Sequence, residues 1–113
     1  MIGRLASAVF ISALIREVNA RGGSAAVIAK GDAIAGAILL LCMEKGQITG
    51  VYDYVLGQKG RYVWASAHPQ PIENQKEIDA LCARRQCFDP DLWIVELDIP
   101  NAERFIADFT VSD

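Results

Sequence analysis

The chain holds one histidine, His68, and three cysteines, Cys42, Cys82 and Cys87, with no Cys-x-x-Cys pair among them. An odd cysteine count without that pair writes neither a disulfide framework nor a zinc site, so each thiol reads first as a small apolar side chain. No phosphate-binding Gly-Lys-Ser/Thr and no Gly-x-Gly-x-x-Gly occurs. Gly31 to Gly36 is therefore read as a connection and Gly22-Gly23 as a helix stop. Basic charge is also scarce: the formal net charge is −3 and the pI about 5.1, which argues against nucleic acid as a partner. The adjacent pair Arg84-Arg85 suits a solvated helix end. The apolar run Leu5 to Ile15 behind Arg4 imitates a signal peptide, but it continues into Arg16-Glu17 without a small-x-small cleavage site and is too short to cross a bilayer. It predicts a cytoplasmic helix and no membrane association. Repeats, low-complexity tracts and linkers are missing too, and no motif implies a cofactor or a metal.

What is present is a well-filled apolar composition: 52% of the 113 residues are hydrophobic. That predicts a single domain over residues 1–113, with enough apolar surface for a core and for a buried contact in a homodimer. The clearest pattern lies in Gln86 to Pro100. Asp89-Pro90-Asp91 reads as a type I turn, because proline pre-sets φ at the first central position and the preceding aspartate can accept a local backbone N–H. From Trp93 the residues alternate, with Trp93, Val95 and Leu97 on one side of a strand and Ile94, Glu96 and Asp98 on the other. Pro100 closes the strand because it cannot donate to a ladder.

Ser7 to Ala20 carries Ile11, Leu14, Ile15 and Val18 at helical spacing. Val9 and Phe10 lie off that stripe, which makes the helix a place to look for a dimer contact. Ala25 to Lys30 reads as a short strand. The run Ala37 to Met43 has no period of two; Gly36 and the flanking turns favour a strand buried on both faces over a helix. Ile48 to Leu56 and Arg61 to Ala67 form a hairpin through Gln58-Lys59-Gly60, a register that sets Leu56 opposite Tyr62 and Tyr54 opposite Trp64. His68-Pro69-Gln70-Pro71 breaks the sheet. Ile72 to Gln86 is an amphipathic helix, with Ile78, Leu81 and Cys82 inward and Glu73, Lys76, Glu77, Arg84 and Arg85 toward water. The tail after Asn101 supplies one further short element of either type. The expected fold is α+β: a mostly antiparallel sheet of four to five strands with two helices on one face, in the order α-β-β-β-β-α-β.

At Phe88-Asp89-Pro90-Asp91-Leu92-Trp93 the chain resembles a family of short bacterial proteins that carries a domain of unknown function. The resemblance extends to Ala13-Leu14-Ile15-Arg16, to Gly31-Asp32 with Gly36-Ala37-Ile38, and to Trp93-Ile94-Val95-Glu96, over roughly Leu5 to Asp98. It implies family membership and carries no activity.

Two constellations could support function. Tyr52, Tyr54, Tyr62 and Trp64 share one sheet face and could stack a planar ligand or bury against a partner, although strand aromatics also serve a core. Asp89 and Asp91 could hold a cation or act as acid and base, with His68 or Asp32 completing a cleft; a turn explains both aspartates without chemistry, and a lone histidine beside prolines suits an exposed loop. The leading expectation is a non-enzymatic cytoplasmic domain that self-associates and binds a protein or small molecule. A small enzyme or metal-binding protein built on the aspartates is the alternative.

Overall fold

The computed structural model describes residues 5–109. The elements are α1 (Ser7–Ala20), β1 (Ser24–Ala29), β2 (Ile38–Glu44), β3 (Gln47–Leu56), β4 (Tyr62–Ser66), α2 (Gln75–Phe88), β5 (Trp93–Asp98) and α3 (Ala102–Asp108). Helix α1 ends in a Schellman motif: Gly22 at φ +84° takes the left-handed position, its N–H donates to the Asn19 carbonyl, and the Gly23 N–H reaches the Val18 carbonyl. The β2–β3 hairpin turns through Lys45 and Gly46, both at positive φ, as a two-residue turn of the primed type demands. The Asp98 carboxylate accepts both turn N–H groups, at 3.0 and 2.8 Å.

The sheet order is β1-β5-β2-β3-β4. The β1–β5, β2–β3 and β3–β4 pairs are antiparallel, whereas β2 and β5 run parallel. The sheet is thus mixed, which corrects the expected order: the last strand enters between the first two. Strand β2, buried at Ile38 through Cys42, matches the expected strand with no solvent face. Two further corrections concern helices. The described residues form three, because Pro100 and the left-handed Asn101 turn the chain into α3, whose Ala102, Phe105 and Ile106 are buried at helical spacing. They also occupy both faces of the sheet. Ile38, Leu40, Cys42, Trp93, Val95 and Leu97 pack with α1 and α3, while Leu39, Leu41, Val51 and Ile94 pack with Ile78 of α2.

Helix α2 begins at Gln75, where the Asn74 side chain accepts the Lys76 N–H, and it runs through Cys87 to Phe88, past the expected boundary. Arg84 faces water, but Arg85 does not follow it: its guanidinium turns to the sheet and grips Asp53 of β3 through two bonds of 2.7 and 3.2 Å. This bidentate geometry holds helix to sheet beyond the small apolar stripe. Among the described residues, no helix is long and apolar enough to cross a membrane.

Candidate functional site

The sequence reading singled out an aromatic face and an aspartate turn, and the structure places them on different parts of one scaffold. The hairpin register is as expected, with Tyr54 opposite Trp64 and Leu56 opposite Tyr62. Gly60 holds the left-handed turn position at φ +75°. Above these rings lies α1: Phe10 stacks on Tyr54 with centroids 4.6 Å apart, and Trp64 lies 4.6 Å from Tyr54. Phe109 meets Phe10 edge-on. Tyr54 and Trp64 therefore spend most of their ring surface on packing, and Tyr62 forms the rim of the cluster. Phe10, expected off the apolar stripe, instead belongs to the buried face of α1 with Ser7, Ile11, Leu14 and Val18, and it is the ring that covers the face. Neither that burial nor its target was visible in the sequence.

Tyr52 belongs instead to a polar group that sequence spacing did not reveal. The Gln70 amide donates to its hydroxyl at 2.9 Å and to the Thr49 carbonyl at 3.1 Å. Thr49 Oγ1 donates to Glu103 at 2.8 Å, and the Tyr52 hydroxyl donates more weakly to the same carboxylate. Burial holds the Tyr52 phenol above its ordinary pKa, opposed by the Gln70 bond and reinforced by Glu103. Burial also pushes the neighbouring Cys42 thiol up to about 12, so it stays protonated and is no nucleophile at neutral pH. The group is closed upon itself: no buried side-chain nitrogen or oxygen of the described residues lacks a hydrogen-bond partner.

The aspartate turn is a structural knot. The Leu92 N–H closes it onto the Asp89 carbonyl at 3.1 Å, while Asp89 Oδ1 accepts the Asp91 N–H at 3.0 Å. The loop 30–37 then packs on it. The Asp32 N–H donates to the Asp91 carbonyl, and the Asp32 carbonyl accepts the Trp93 indole at 2.7 Å. The Asp32 carboxylate caps its own turn by accepting the Ile34 and Ala35 N–H groups. The first N–H groups of α1, at Ser7 and Ala8, find the Ile34 and Ala33 carbonyls, and buried Ser7 donates its hydroxyl to the Gly36 carbonyl. That contact supplies what the helix otherwise lacks, since no side chain caps it.

The segments that carried the family resemblance are thus drawn together: Gly31-Asp32, Gly36 and the Asp89 to Trp93 run meet at the start of α1. Asp32 and Asp91 become neighbours, whereas His68 does not join them. Its Nε2 lies 3.3 Å from Glu77 in the first turn of α2, and twelve helical residues separate Glu77 from Asp89, roughly 18 Å. Among the described residues, no cluster of three His, Cys, Asp or Glu side chains is placed to hold a metal ion.

The two aspartates separate cleanly by role. Asp89→Ala removes the acceptor of a turn bond and is expected to cost about 1 kcal/mol. Asp91→Ala removes a carboxylate that accepts no bond from a described residue and is expected to stay within about 0.5 kcal/mol of wild type. Urea unfolding midpoints check the pair, and equal losses would contradict the assignment.

A third feature emerges only from the register. Strands β2 and β5 begin at the same end of the sheet, with Ile38 opposite Trp93. At that end β1 and β3 finish, β4 starts, α1 starts and α2 finishes. Exposed large apolar side chains gather there: Phe88 is 85% exposed, Ile34 73% and Leu56 61%, joined by Val55 and Val63. The opposite end carries Glu44, Lys45, Gln47 and Asp98 at the strand termini. Val55 and Val63 pair across the β3–β4 ladder on the α2 side of the sheet, but α2 packs over β2, β5 and the Val51 to Asp53 part of β3 and leaves them exposed.

The sequence profile of a family described as "Protein of unknown function (DUF1491)" matches residues 5–107. Three solved structures are similar along nearly their whole length. A crystal structure of a DUF1491 family protein from Caulobacter crescentus CB15 shares 28% identity with a TM-score of 0.78, covering 90% of this chain and 94% of that one. The solution structure of protein Atu0922 from A. tumefaciens shares 30% identity with a TM-score of 0.76, covering 98% and 99%. An NMR structure of a DUF1491 family protein from Caulobacter crescentus CB15 shares 28% identity with a TM-score of 0.76, covering 97% and 100%. No curated protein matches the chain.

Proposed function

Because the chain belongs to the DUF1491 family, whose description assigns no activity, we propose its function from its surface: a non-catalytic interaction domain of the bacterial cytoplasm that acts as one unit and self-associates. The observation that carries this reading is the gathering of exposed apolar side chains at one end of the sheet. Scattered apolar residues are ordinary on a protein surface, but several brought to one end by β3, β4, the end of α2 and the 30–37 loop are the mark of an interaction site. The other features point the same way by elimination of alternatives. The aromatic face is occupied by Phe10, the polar group around Glu103 is internally satisfied, and the aspartates serve a turn with His68 remote from them.

Light scattering during size-exclusion chromatography tests the reading over about 1 to 300 μM, the range in which a modest interface of this kind associates. The expected result is a mass that rises with concentration toward twice the chain mass, and a rise that is lost on Phe88→Ser. A mass of one chain throughout this range would sink the self-associating form of the reading.

A further inference from the structure

We infer that the partner at the apolar end is a second copy of this chain, docked end to end about a two-fold axis with the β3–β4 hairpin of each protomer against the acidic loops of the other. This inference rests on the self-association proposed above and specifies how it is built.

Register places Tyr54 level with Ile38, the first residue of β2. Val55, Leu56 and the turn Gly57 to Arg61 therefore project past the body of the sheet, by roughly 7 to 10 Å at the rise of a strand. The turn is closed by a bond from the Gly57 N–H to the Arg61 carbonyl at 2.7 Å and one from the Gly60 N–H to the Gly57 carbonyl at 3.3 Å. It is a defined protrusion. On the other side of this end, β1 and β5 stop near the level of the start of β2, and the loops 30–37 and 89–92, packed on each other, form the surface offered to the protrusion of a second copy.

The projecting turn carries Lys59 and Arg61, both exposed, and no acidic residue from Val55 to Arg61. The seat carries Asp32, Asp89 and Asp91 on the loops packed at the start of β5, against Lys30 on the same loop and Arg84 at the end of α2, while Arg85 is held by Asp53. Val55 and Val63 border the basic turn, and Phe88 directly precedes Asp89 at the edge of the seat. A two-fold axis through this end exchanges its two sides, bringing the basic turn of each protomer onto the acidic loops of the other and apolar surface onto apolar surface. One contact thus occurs twice, as an isologous interface requires, and opposite charges fix the register.

Charge exchange tests the arrangement. Lys59→Glu/Arg61→Glu reverses the turn, and Asp91→Lys reverses part of the seat at a carboxylate that supports no described bond. Sedimentation equilibrium at about 50 mM salt, where surface charges act over more than 10 Å, should show each variant self-associating at least tenfold more weakly than wild type. An equimolar mixture of the two should recover association, because the reversed turn of one meets the reversed seat of the other. Unchanged association of both charge variants, with Phe88→Ser still weakening it, would overturn this pairing and leave the apolar end as the interface. If Phe88→Ser and Val63→Ser also leave association unchanged, the apolar-end reading falls with it. A chain that stays monomeric throughout overturns the pairing and self-association together.

Discussion

Gly31→Ala is expected to cost about 3 kcal/mol, at the upper end of what overpacking a filled site costs. A methyl group built on Gly31 would overlap the Asp91 carbonyl and crowd the Leu92 carbonyl carbon. Both obstacles are backbone, so no side chain can swing aside. The segment cannot retreat either, because the next residue donates its N–H to that same Asp91 carbonyl at 3.0 Å. Gly36 repeats the constraint from the far side of the loop, its added methyl meeting the Asp91 carbonyl at 2.5 Å and the Asp32 carbonyl at 2.7 Å. Gly46→Ala is the control. Its neighbourhood is open and only its left-handed backbone is at stake, for about 1 kcal/mol. Urea unfolding with an unchanged m-value checks the ranking, and a Gly31→Ala protein as stable as Gly46→Ala would contradict the close approach described here.

Trp93→Ala is expected to cost about 3 to 5 kcal/mol, as the loss of a large buried ring does. Trp93 is 4% exposed and packs in the cluster with α1 and α3, and its indole N–H anchors the 30–37 loop through the Asp32 carbonyl. Trp93→Phe divides the two contributions. The ring mostly remains, the indole bond goes, and the Asp32 carbonyl keeps only the Gly36 N–H at 3.2 Å. That variant should lose about 1 kcal/mol, with its extra hydrogen exchange confined to Asp32 through Gly36. Thermal unfolding gives the magnitude; a Phe variant as damaged as the Ala variant would place the importance of Trp93 in its N–H, not in its volume.

Most of the secondary structure could be read along the chain because most of it is encoded locally. Ser7 to Ala20 is a helix with the expected bounds because its apolar spacing and its glycine stop agree. The β3–β4 register followed from one glycine in the left-handed position. What could not be read was set by distant partners. Nothing in Trp93 to Asp98 says that it pairs in parallel with β2 and not beside a sequence neighbour, although the all-apolar run of β2 already fitted a strand between two covered faces. The second helix face was missed for the same reason: Ile78, Leu81 and Cys82 identify an inward side but not which side of the sheet lies beneath it. Arg85 looked like a solvated helix end because Asp53, its partner, is 32 residues away.

The candidate surfaces divide along the same line. Tyr52, Tyr54, Tyr62 and Trp64 share the expected face, yet the ring that covers Tyr54 and Trp64 comes from α1, and Tyr52 turns to Gln70 and Glu103. The polar group joining Thr49, Tyr52, Gln70 and Glu103 spans three separate stretches of chain, and no spacing rule connects them. The apolar end was invisible for a simpler reason. Ile34, Val55, Val63 and Phe88 are single apolar residues at the borders of different elements, and only the strand directions bring them together.

The position of β5 also constrains the order in which the protein is assembled. Strands β1 and β2 are successive in the chain but are joined only through β5, which pairs with both. As the chain leaves the ribosome at roughly 5 to 20 residues per second, β2, β3 and β4 form a meander with an unpaired inner edge, while β1 has no strand to join. The last strand closes both gaps in one step, and its contacts span up to some seventy residues, a separation that slows folding. Until Asp98 is free of the tunnel the nascent protein carries two strand edges that β5 alone can pair, so its interval of greatest risk of misassociation lasts until that strand has emerged.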